Sequence, residues 1–140
     1  MQSTFLEGAH LESPSAINVP ELLKELLRDL STNSPILGAA ILSVEGLPLE
    51  SHFHRGMEEA TIAAMVAGIY STGEQAVKEL KQGNLRNIIV EGDLGTTIVL
   101  SIPGGYLLCV TAPENAKLGL IFNDAKRVAR EASRLIQRYE

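Results

Sequence analysis

The sequence has no tryptophan, one cysteine, three tyrosines and three phenylalanines in 140 residues. A single cysteine cannot close an internal disulfide. Cys109, set in "LLCVT", reads as a small buried hydrophobe. Long apolar runs are missing too. The longest, "TIVLSI" and "YLLCVTA", are strand-sized and far short of the ~20 residues a spanning helix needs, so no membrane partner is expected. There is no basic excess: the formal net charge is -5. A nucleic-acid binder needs a basic face to replace phosphate counterions, so that class is excluded. The opening "MQSTFLEGAHLESPSAINVP" has neither a basic start nor an apolar centre and is not a secretory signal. Cytoplasmic residence is the resulting expectation.

Chemistry-bearing motifs are equally scarce. No GxxxxGK[ST] loop is present for phosphates, and no G-x-S-x-G elbow for a nucleophile. The glycines of "EGDLG" and "IPGGY" read as turn formers, with Asp93 capping its turn through a side-chain acceptor. "SHFHRG" puts His52 and His54 on one face of a strand, a geometry able to hold a metal. It has no third ligand, since His10 lies in the leader, and it reads as solvated edge-strand polarity. The chain is therefore read as a non-enzyme with no catalytic residue, cofactor or metal.

What is present is a regular succession of amphipathic segments, 45% hydrophobic and 21% charged, enough for one core. Residues 1–19 read as a flexible leader and 20–140 as one domain. Pro20 opens a helix where its missing N–H does no harm, and "PELLKELLRDL" carries leucines at three- and four-residue spacing. "ILGAAILSVEGLPLESHFHRG" gives two strands joined by "VEGLP". The first is apolar on both faces and belongs mid-sheet; the second is polar and belongs at an edge. A long helix runs from about Met57 to Gln82, with Gly83 as its stop. "NLRNIIVEG", "GTTIVLSI" and "GYLLCVTA" then form an antiparallel meander with glycine-bearing links. A final helix from about Asn115 to Tyr139 has one apolar side. Its other side, with Lys126, Arg127, Arg130, Glu131 and Arg134, reads as a solvated face. The order predicts an α/β protein: a three-layer α/β/α sandwich on a five-stranded, mostly antiparallel sheet, with the last strand beside the first.

The long helix is unusual. At about 100° per residue, Ile62, Met65, Ile69, Ala76 and Leu80, flanked by Val66 and Val77, gather on one side and are expected to pack on the sheet. The opposite side holds Ala60, Ala64, Ala67 and Ser71 beside Gly68, small and nearly uncharged for about three turns. Alanine is the best helix former, so a small exposed face needs no partner. Glycine inside a helix costs ~1 kcal/mol relative to alanine, however, and a second helix lying against it would offset that. A two-fold axis pairing this helix with its copy is the simplest arrangement. The strand "LRNIIVEG" is also too apolar for an edge left open to water.

Together, "ILGAAILSVEGLPLES", "ATIAAMVAGIYSTGEQAVKEL", "NLRNIIVEGDLGTTIVLSIPGGYLLCVTA" and "NAKLGLIFNDAKRVAREASRLI" resemble the Roadblock/dynein light chain family over roughly residues 20–138. "SVEGLPLES" looks like its hairpin and "LGLIFNDAKRVAREASRL" like its last helix. The resemblance implies the same sandwich fold and a homodimer. Ala60, Ala64, Ala67, Gly68 and Ser71 would line a helix pair, and Arg86, Ile88 and Val90 a strand pair. It implies a non-enzymatic platform like the bacterial gliding-motility regulator that acts on a small Ras-like GTPase. No arginine can be assigned as a finger. The rival expectations are a small-molecule sensor on a profilin- or PAS-like sandwich, and a purely structural scaffold subunit.

Overall fold

Asn18 and Pro20 set where regular structure begins. The Asn18 side chain accepts from the Glu21 N–H at 3.2 Å, capping a helix whose first turn already contains proline. The structure, a computed structural model, describes residues 18–53 and 56–139. The leader up to residue 17, with His10, therefore lies outside the described residues, as do His54 and Arg55. The elements are α1 (Val19–Asn33), β1 (Gly38–Ser43), β2 (Pro48–Phe53), α2 (Glu59–Glu79), β3 (Asn87–Gly92), β4 (Gly95–Ile102), β5 (Tyr106–Pro113) and α3 (Leu118–Tyr139).

The five strands form one sheet in the order β2-β1-β5-β4-β3, and every neighbouring pair is antiparallel. β5 returns beside β1, pairing Gly38 with Thr111 and Ser43 with Tyr106. β1 is buried along its whole length, and β2 and β3 are the two edges. The alternation of side chains then assigns residues to layers. Leu23, Leu27 and Leu30 of α1 and Ile121, Ala125 and Val128 of α3 cover the face carrying Ile41, Ile98, Leu108 and Val110. α2 covers the other face, over Ala40, Leu42, Val99, Leu107 and Cys109. The result is the α/β/α sandwich expected from the sequence. The Ser34 hydroxyl, just past α1, donates to the Asp124 carboxylate of α3 and ties the paired helices together.

Two helix boundaries differ from expectation: α3 begins at Leu118, not about Asn115, and α2 stops short of Gln82. α2 ends at Glu79, and Lys81, at φ 57, takes the left-handed cap position two residues before Gly83, which itself lies at φ 86. The Gln82 N–H donates to the Val77 carbonyl at 2.7 Å and the Lys81 N–H to the Lys78 carbonyl at 3.0 Å. These two bonds make a Schellman cap, the position where glycine is commonest. A lysine does the same work here, so the glycine signal pointed two residues too far along. Among the described residues, no helix is long and apolar enough to cross a membrane.

Candidate functional site

Apolar residues surround most of α2, so side-chain size does not reveal which side meets the sheet. Its buried residues are Ala63, Val66, Ala67 and Tyr70. The expected sheet-facing set is corrected by roughly a quarter turn at 100° per residue. Ile62 is only half-buried, Met65 is 57% and Ile69 40% exposed, and Ala76 and Leu80 also lie outside. The cause is the β1–β2 turn. Gly46, at φ 96, presses on the helix so closely that a Cβ there would stand 3.4 Å from Ala67 Cβ and 3.5 Å from Ala64 Cα. Small residues thus seat α2 close to the sheet, and the large ones are left outside.

Of the residues expected to line a helix pair, Ala60, Ala64, Gly68 and Ser71 are exposed. Ala67 is not: at 7% exposure it belongs to the core beneath α2. The outward surface gains Met65 and Ile69 instead. Together with Gly68, Thr72, Gly73 and Ile88 they line an open groove of about 700 Å³ between α2 and β3. The groove is mostly hydrocarbon, and around Gly68 it has room, for a Cβ built there meets nothing within 4 Å.

β3 forms the groove's other wall and, among the described residues, pairs only with β4. The Ser101 N–H donates to the Arg86 carbonyl at 3.1 Å. By the alternation of an antiparallel ladder, the backbone groups of Arg86, Ile88 and Val90 then point toward β4, and those of Asn87, Ile89 and Glu91 toward the open edge. Ile88 is half-buried under α2, whereas Ile89 is 54% and Val90 43% exposed. Arg86 is exposed at the strand's start.

On the opposite face of this edge lies a second concavity, of about 430 Å³. It is lined by Arg86, Asn87, Leu100, Lys126, Arg130 and Arg134 among others, and by no carboxylate among the described residues. Arg134 pairs with Glu131 on its own helix, and the Lys126 ammonium lies over the Phe122 ring, 4.9 Å from its centre. The basic side of α3 is thus partly the wall of a cleft. Sequence periodicity identified these residues as one face but could not place β3 and β4 beside them.

His52 is half-buried on β2. Among the described residues, no three His, Cys, Asp or Glu side chains converge as metal ligands. Cys109 is fully buried, and that burial pushes its thiol from 9.0 up to about 12, far from a reactive thiolate. The features that stand out are the apolar groove beside α2 and the basic cleft beside α3, one on each face of the β3 edge.

The comparisons agree with that geometry. A solved Roadblock/LC7 domain from Streptomyces avermitilis superposes with a TM-score of 0.77 at 23% identity, covering 81% of this chain and 97% of its own. MglB from Myxococcus xanthus superposes with a TM-score of 0.81 at 14% identity, covering 86% and 92%. A further structure, described as MglB with a tetrameric arrangement, gives 0.80 at 19% identity, covering 89% and 95%. At these identities the likeness is one of fold. The sequence family described as the Roadblock/LC7 domain matches residues 22–112. That match takes in everything from the first leucine of α1's apolar stripe to the penultimate residue of β5, and the chain belongs to the Roadblock/LC7 family.

Proposed function

We propose that this protein is a homodimeric, non-enzymatic platform. Two copies pair α2 against α2 and β3 against β3, and the dimer regulates a small Ras-like GTPase. The observation carrying the dimer is the continuity of its surface. Met65 and Ile69 on α2, the groove beside them, and Ile88 and Val90 on the same face of β3 form one apolar stretch next to a strand edge that is unpaired among the described residues, while Ile89 is exposed on the strand's other face. Contiguous exposed hydrocarbon of this kind marks an interaction surface, and an open apolar edge is a template for another strand. A two-fold axis perpendicular to the sheet would satisfy both elements at once. Ala60, Ala64, Gly68 and Ser71 would let the helices approach closely, with Arg86, Ile88 and Val90 along the strand pair. The tetrameric arrangement named for one MglB structure is support for self-association in this fold.

Gly68→Arg tests the dimer, because a Cβ at Gly68 meets nothing within 4 Å in the single chain, and circular dichroism checks that the fold is kept. The expected result is a folded monomer by light scattering where the parent is a dimer. An unchanged dimer refutes helix pairing.

The GTPase rests on the family resemblance. The dimer would bias the switch segments of the GTPase by binding one nucleotide state more tightly than the other. Binding to GDP- and GTP-loaded Ras-like GTPase is the measurement. Equal affinities together with an unchanged hydrolysis rate would remove the regulatory role.

A further inference from the structure

Apart from Arg86 at the start of β3, the basic cleft between β3 and α3 is not used by the proposed pairing of apolar surfaces. Arg86, Lys126, Arg130 and Arg134 line it without a carboxylate, in a chain whose formal net charge is -5. Among the described residues, neither Arg86 nor Arg130 nor Lys126 has an acidic side chain within ion-pair distance; Arg134 alone does, through Glu131. Such a concentration of one charge on an acidic protein calls for an anion.

The open strand identifies that anion. Pairing β3 with its copy about an axis perpendicular to the sheet keeps each α2 on the same side, so only residues sharing a face can stand opposite one another. The free backbone groups belong to Asn87, Ile89 and Glu91. One register uses all three: Ile89 faces its twin, and Asn87 faces Glu91 in both directions. That register also sets Ile88 against Val90 on the α2 face, matching apolar with apolar. Moving the pairing two residues toward the hairpin tip places Glu91 against Ile89, and two more places Glu91 against itself, where like charges repel.

In the favoured register, Glu91 of the twin lies directly across from Asn87, with Cβ atoms ~5 Å apart. Asn87 lines the basic cleft, and its side chain shares a face with Leu100, its cross-strand partner. We propose that each copy's cleft receives Glu91 of its twin, so that the cleft is completed only in the dimer and the charge pairs fix the strand register. This rests on the β3 pairing proposed above.

The test is sedimentation equilibrium of the full chain at low and high salt, with Glu91→Lys, Arg130→Glu and the double exchange. All these positions are exposed, and circular dichroism checks that the fold is kept. Each single exchange is expected to weaken the dimer at low salt by tenfold or more, about 1.4 kcal/mol. The loss should shrink in about 0.5 M salt, where the Debye length falls to roughly 4 Å. The double exchange should recover most of the affinity. Dimer constants unmoved by either single exchange overturn the charge pairing while leaving the dimer intact. A parent protein that is monomeric at every concentration overturns the dimer itself. Inorganic pyrophosphate is the probe for a free anion: binding that Arg130→Glu abolishes, with no effect on the dimer constant, would also overturn the proposal.

Discussion

Ala67 shows how one methyl group decides the setting of a helix. It lies under α2 against the Gly46 turn, 3.4 Å from where a Cβ on that glycine would be. Ala67→Leu is expected to destabilise the protein by about 1–3 kcal/mol through overpacking, read as a lower urea midpoint. A dimer constant that changes while stability does not would move Ala67 back to the surface. Cys109 offers a second measurement. Its thiol stays neutral in the fold up to about pH 12, whereas the unfolded thiol ionises near 9.0. Because the folded value is raised, the associated stability is fully present below pH 9 and is lost as pH rises toward 12. Cys109→Ala should flatten that loss in urea midpoints measured from pH 8 to 11, on the order of the window set by the ordinary thiol value. At pH 8, native protein should react with a thiol reagent only as fast as it opens. Prompt labelling would contradict the burial.

Among the elements, α2 carries both the clearest success of sequence reasoning and its clearest failure. The helix and its place between the hairpin and the meander were legible from periodicity and composition. Its rotation was not. Periodicity separates faces by size and polarity, and here the tightest packing falls on Ala63 and Ala67, because a turn from elsewhere in the chain fills the space a larger side chain would need. β3 was legible as an edge because a three-strand meander must leave its first strand outside once its last joins β1. Lys81 was not legible, since left-handed residues are ordinarily glycine. Lys81→Gly is expected to stabilise the protein by about 1 kcal/mol, the cost a side chain carries in that conformation. Loss of stability in thermal unfolding would contradict the cap.

For the molecule as a whole, the proposed dimer links stability to concentration. If the exposed Met65, Ile69, Ile89 and Val90 are covered only by a second copy, the unfolding temperature should rise with protein concentration. Calorimetry over a hundredfold range of concentration checks this, with the shift following the mass-action law. Gly68→Arg should abolish the dependence. A constant unfolding temperature in the parent would mean that the pairing adds nothing to the folded state. The cleft on α3 was half visible beforehand: the cations were identified as one helix face. Their neighbours come from strands 25 to 48 residues earlier in the chain, a separation that helical periodicity cannot span.

The strand order has a consequence for how the chain is made. β1 is covered on both faces and pairs with β5, and Gly38 and Thr111, which face each other, are 73 residues apart. During synthesis the β1–β2 hairpin is made long before β5 exists. At about 5–20 residues per second, that wait lasts several seconds. Through it, "GAAILS" has one edge unpaired and its most apolar surface uncovered. The N-terminal half is therefore a poor candidate for independent folding, and the nascent chain is most exposed to aggregation or chaperone capture until the last strand slots into the middle of the sheet.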